Sequence, residues 1–175
     1  APCIIFIFYS NQTIAVYNRY YISLQIQHKI SGVCISSFFD SQLFRREPFV
    51  GICPRNHPFA GKEVPLTELL NETIIHREAG SGTRAILEQK LHGYNESLDR
   101  FRRQICISSF PVILDLVKEG FGVSFVYEVL ADSDPDLAKF TIQGEPIVRE
   151  FNIVYLKHAD LQEKIHWFFP ERGAV

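Results

Sequence analysis

Apolar and polar positions along the chain change period repeatedly, and each change marks a structural element. Cys3-Ile-Ile-Phe-Ile-Phe8 is a continuous apolar run of the kind a strand buried on both faces produces, and Ile22-Ser-Leu-Gln-Ile-Gln27 alternates with period two. Val33-Cys-Ile35 and Phe49-Val-Gly-Ile-Cys53 read as two further short strands. Arg55 to Gly61 is a turn-rich connector, and Pro65 opens a short helix over Leu66 to Leu70 that ends near Asn71.

Beyond this point the alternation is cleaner. Thr73-Ile-Ile-His76 reads as a strand, Gly80-Ser-Gly82 as a turn, and Thr83 to Leu91 as a helix with Ala85, Ile86, Leu87 and Leu91 facing inward. Arg103 to Ile107 is the next strand. Ser108 or Ser109 can cap a following helix with Pro111 in its first turn, in which Val112, Ile113, Leu116 and Val117 fall at helical spacing before Gly120 stops it. Gly122 to Val126 then reads as a strand, Tyr127 to Ala131 as a short helix, and Phe140 to Ile142 and Phe151 to Tyr155 as strands. A closing helix is expected from about Asp160 to Phe169. Strands alternating with helices predict an α/β fold with a mostly parallel sheet.

Composition narrows the class. The 175 residues are 46% hydrophobic and 22% charged, with 18 Lys+Arg against 20 Asp+Glu, which fits an ordinary globular chain and excludes disorder, coiled coil and collagen. Residues 1–61 hold five basic and two acidic side chains (+3), and residues 62–175 hold 13 and 18 (−5). Neither portion is the strongly basic face of a nucleic-acid-binding module. Cys3, Cys34, Cys53 and Cys106 form no C-x-x-C pair and lie in or beside apolar runs, so they are expected to be buried, inert thiols in a reducing compartment. The longest apolar stretch, Pro2 to Tyr9, is far shorter than the ~20 residues that span a bilayer, and it lacks a basic leader. A cytoplasmic location with no membrane partner is the expectation.

In open α/β sheets, ligands bind outside the carboxyl ends of the strands. Four such ends here carry hydroxyls: Ser10 and Thr13 beside Asn11, then Ser36 and Ser37, then Ser81 and Thr83, then Ser108 and Ser109. At a helix start each adds a donor to free backbone N–H groups and the positive end of the helix dipole, a combination that favours a small anion or carboxylate. Any one of them is also simply a good N-cap. Gly80-Ser-Gly82-Thr-Arg-Ala85 fits the G-x-G-x-x-G/A dinucleotide pattern, but the acid expected at the end of the next strand is absent, and no G-K-[ST] occurs. No cofactor is called for. His28, His57, His76, His92, His158 and His166 show no metal-ligand spacing, Arg100, Arg102 and Arg103 read as a solvated edge, and no nucleophile elbow is present, so neither catalytic residues nor a metal site is assigned.

Three stretches resemble a known family: Glu47 to Gly61 followed by Val64 to Leu70, Thr73-Ile-Ile-His-Arg-Glu-Ala-Gly-Ser-Gly-Thr-Arg84, and Ser108 to Val117 followed by Glu119 to Phe125 and Pro146 to Lys157. Together they are similar to the effector-binding domain of LysR-type transcriptional regulators over about residues 30–170. That resemblance implies two α/β lobes of type II periplasmic-binding-protein architecture, with residues 1–55 and 150–175 in one lobe and 56–149 in the other. It implies crossing strands near Phe49–Ala60 and Ile147–Tyr155, and a small effector held between the lobes. By position, the family's effector contacts fall at Thr13, Ser36, Ser37, Ser108, Ser109 and Phe110, with Ser81 and Thr83 nearby. The expected assembly is a homodimer or homotetramer that touches promoter DNA only through a winged helix-turn-helix module absent from this chain. A solute-binding receptor of the same architecture and an α/β enzyme are the alternatives.

For that family the chain is short. Only residues 28–32 separate Ile22–Gln27 from Val33–Ile35, whereas a parallel crossover takes a dozen or more residues. With no methionine anywhere and Ala at position 1, the expectation is a piece of a longer protein with its first lobe incompletely represented.

Overall fold

The computed structural model describes residues 5–9, 13–17, 39–144 and 146–156. The strand readings at Ile22–Gln27 and Val33–Ile35, the link between them and the closing helix lie outside the described residues. The chain divides into two compact units, one of residues 1–46 and 150–175 and the other of residues 47–149.

In the first unit, β1 (Ile5–Tyr9) and β2 (Thr13–Tyr17) form an antiparallel hairpin in which Tyr9 pairs with Thr13, and β1 also pairs antiparallel with β9 (Ile147–Leu156). Two strands run from one unit into the other: β9, and the 16-residue β3 (Phe39–Pro54), its neighbour in the sheet. At the point of passage Arg46 on β3 meets Glu150 on β9 at 3.0 Å, both exposed.

The second unit is built on the order β3-β7-β5-β6, where β5 is Thr73–His76, β6 Arg103–Cys106 and β7 Val123–Tyr127. β5 runs parallel to both β6 and β7, whereas β3 runs antiparallel to β7 and to β8 (Leu137–Ile142). The two-residue β4 (Glu63–Val64) pairs parallel with β8. The sheet is therefore mixed, and the mostly parallel arrangement expected from the sequence holds in β6-β5-β7 and in the short β4-β8 pair. Parallel strands need helical crossovers, which the chain supplies in β6-β5-β7 as α2 (Gly82–His92) and α3 (Phe110–Lys118). Two single-turn helices, α1 (Leu66–Leu69) and α4 (Glu128–Ala131), complete the unit.

Period-two alternation in β3 serves both faces of the sheet. Val50 and Ile52 join Ile75, Ile113, Val117, Val126, Ala131 and Leu137 in one buried cluster. Phe49 belongs to an aromatic cluster in which Phe125 lies 6.1 Å from Phe49 and 5.4 Å from Phe140, and Phe140 5.4 Å from Phe59. Gly51 makes that cluster possible, because a Cβ there would come within 2.3 Å of the Phe140 ring. The hydroxyl of Ser124 in β7 is buried and donates to the carbonyl of Ile75 at 2.6 Å, which offsets the cost of removing it from water.

Helix faces follow their sequence stripes in the main. Ile86, Leu87 and Leu91 of α2 are buried while Ala85 is half-buried. Ile113 and Val117 of α3 are buried, but Leu116 is half-buried and Val112 is exposed. Gly120 ends α3 with φ +77°, a conformation that L-residues disfavour, and the Phe121 N–H returns to the carbonyl of Leu116. Cys53 is buried, as expected, and burial followed by the charge of Glu72 pushes its thiol up to about 11. Cys106 is exposed, contrary to expectation, because β6 is the last strand of the sheet order.

Candidate functional site

The site grows from two adjacent strand ends. β5 and β6 are paired in parallel register from Thr73↔Arg103 to His76↔Cys106, so their carboxyl ends lie side by side. The Ile107 N–H donates to the His76 carbonyl at 2.9 Å and ties the two exits together. From this one edge the chain passes through residues 77–81 into α2 and through residues 107–109 into α3. Both helices, of eleven and nine residues, therefore begin at the same edge of the sheet. Each leaves its first N–H groups without an intrahelical partner and brings the positive end of its dipole.

The hydroxyls at this edge are not equivalent. Ser81 is the N-cap of α2: its Oγ accepts from the Arg84 N–H at 3.3 Å and lies 3.2 Å from the Thr83 Oγ1. Ser109 occupies the N-cap position of α3 in extended conformation, yet its side chain makes no capping hydrogen bond. Ser108 and Ser109 are both exposed. Folding employs the Ser81 hydroxyl, whereas capping leaves that of Ser109 unused.

Two residues that the hydroxyl pattern passed over shape the same edge. His76 is buried, with Nδ1 2.8 Å from the Arg77 carbonyl and Nε2 3.2 Å from the Gln104 Oε1, and Gln104 in turn donates to Asp99 at 3.2 Å. This chain fixes the backbone where β5 ends. Arg77, the next residue, sends its guanidinium over the ring of Phe110, 4.5 Å from the centroid, and so joins the two helix entrances. Its Nε and Nη2 both donate to Glu78 at 2.8 Å. Hydrogen bonding from Arg77, and then from the residue's own backbone, lowers the Glu78 carboxyl to about 2. The usable sequence signal was position alone, since Arg77 and Glu78 directly follow a strand.

Of the residues singled out from the sequence, Ser81, Thr83, Ser108, Ser109 and Phe110 are thus assembled along one edge. Thr13 is not at a helix start. It opens β2 opposite Tyr9, because Thr13-Ile-Ala-Val-Tyr17 is itself a strand-forming run, and the helix-dipole argument does not apply to it. Ser36 and Ser37 lie outside the described residues. Among the described residues no three His, Cys, Asp or Glu side chains converge as metal ligands, and no helix is long and apolar enough to cross a membrane.

Residues 30–170 match the family model of the LysR substrate binding domain. The chain belongs to that family. Among curated LysR-type relatives, the HTH-type transcriptional activator CmpR of Synechocystis sp. is 32% identical over 140 residues, covering 75% of this chain and 45% of CmpR. The chain thus spans less than half the length of that regulator. A solved LysR regulatory domain, that of Synechocystis CcmR in complex with 2-PG, is 28% identical with a TM-score of 0.63, covering 75% of this chain and 64% of the other. The effector binding domain of QuiR in complex with shikimate shares the fold at 16% identity, with a TM-score of 0.55 over 73% of this chain and 60% of that one. The architecture is accordingly that of LysR effector-binding domains, which are periplasmic-binding-protein-like.

Proposed function

We propose that this chain is the sensing part of a transcription regulator and that it binds a small anion at the edge where α2 and α3 begin. The observation that carries the reading is that two helices start at adjacent strand ends, with hydroxyls and a guanidinium along the same edge. The complex of the related CcmR domain with 2-PG supports it. The ligand contacts in this unit are Ser108, Ser109 and Phe110, with Ser81 and Thr83 beside them. Thr13, Ser36 and Ser37 are the contacts proposed for the first unit.

The whole regulator is, on this proposal, a homodimer or homotetramer in the cytoplasm whose separate helix-turn-helix module holds promoter DNA. The effector acts by favouring one conformational state of the regulator. A shift from 1:99 to 99:1 needs a difference in affinity between the states of about 5.5 kcal/mol.

A thermal-shift series with 2-PG, shikimate and inorganic phosphate tests the sensing role. A ligand at about 100-fold its Kd stabilises the native state by about 2.7 kcal/mol, or about 5–10 °C for a chain of this size. A rise of that order with at least one anion is expected. Melting temperatures unmoved by all three would count against the reading.

A further inference from the structure

The cation at this edge is already occupied by its own neighbour in sequence. Arg77 commits two donors to Glu78 in a fork, each at 2.8 Å, which is the geometry a bound carboxylate or phosphate would take. The two partners are held very differently. Arg77 is held at two points, its guanidinium over the Phe110 ring and its backbone carbonyl against His76 Nδ1, and its side chain is 20% exposed. Glu78 is 41% exposed and is held by Arg77 and its own backbone N–H. The carboxylate is therefore the member that can leave while the guanidinium stays in place.

We propose that Glu78 is an internal competitor for the effector: its carboxylate fills the fork of Arg77, and anion binding is an exchange in which the ligand takes Arg77 and Glu78 swings into water. This rests on the anion-sensing reading above and adds to it the residue that sets affinity and charge preference. Glu78 stays ionised throughout the neutral range, so only a competing anion, not protonation, releases Arg77. A doubly charged oxyanion gains more from Arg77 and two helix N-termini than a monocarboxylate does, so exchange favours phosphate-like groups over simple carboxylates.

The test is calorimetric titration of the chain with inorganic phosphate and with acetate at low salt, for wild type, Glu78→Gln, Arg77→Gln and the double variant. Glu78→Gln should bind phosphate about tenfold more tightly than wild type, with a smaller gain for acetate, and the gain should vanish when Arg77 is also Gln. A general relief of negative charge would instead persist without Arg77, and that result overturns the proposal. So does a Glu78→Gln chain that binds phosphate no better than wild type, including the case where neither binds it. Glu78→Asp, whose shorter arm spoils the fork but keeps the charge, should show an intermediate gain, and it stands in if Glu78→Gln does not fold. The two readings fail separately: wild-type binding of 2-PG or phosphate that is indifferent to Glu78 removes the exchange alone, and no anion binding by any variant removes both.

Discussion

At the scale of the residue, Arg77 and Glu78 form a pair whose part in stability can be measured separately from the exchange proposed for it. The Glu78 carboxyl falls from the ordinary 4.5 to about 2 in the folded chain because Arg77 donates to it. Between those values the unfolded chain holds a proton that the folded chain does not. The pair's contribution is therefore complete above about pH 5 and is lost as pH falls towards 2. Solvent screening keeps it small at this exposed position. The melting temperature of wild type should exceed that of Glu78→Gln at pH 7, and the gap should narrow at pH 3; a gap independent of pH would show that the carboxylate is not held by Arg77. None of this was legible in a pattern of hydroxyls, which marks helix starts but not the charged residue before them. His76 was read only as one of six histidines without ligand spacing, because its partner Gln104 lies on another strand 28 positions away.

At the scale of the element, the readable parts were those whose period and punctuation agree. β5 was read to the residue, α2 and α3 to within a residue or two, and Gly120 was rightly the stop of α3. The misreadings have physical causes. The two residues of β4 carry no period, β3 runs through charged positions 45–47 that broke the apolar run, and Thr13–Tyr17 competed as a strand with the helix start assumed for Thr13. Two serines at equivalent places in α2 and α3 give a sharp prediction. Ser81→Ala should lose about 1 kcal/mol, or about 2–4 °C, because it removes a cap that Arg84 uses. Ser109→Ala should leave the melting temperature nearly unchanged, because its hydroxyl caps nothing, but should weaken anion binding. Thermal melts with and without ligand check both, and equal destabilisation by the two substitutions would contradict the assignment.

At the scale of the molecule, family and architecture were the most legible features, because spaced motifs over residues 30–170 are far more specific than any local period, and the family match covers the same span. The effector was not legible, since helix N-termini and hydroxyls recognise a charge and a size rather than a name. The anion is proposed to bind at the edge where β5 and β6 end and α2 and α3 begin. Backbone amide chemical-shift mapping during titration with 2-PG tests this most directly. The largest perturbations are expected at Ser81, Gly82, Thr83, Ser109, Phe110 and Val112. Largest perturbations instead around the shallow groove of Gln89, Lys90, Tyr94 and Arg149, about 400 Å³ at the far end of α2, would contradict the account.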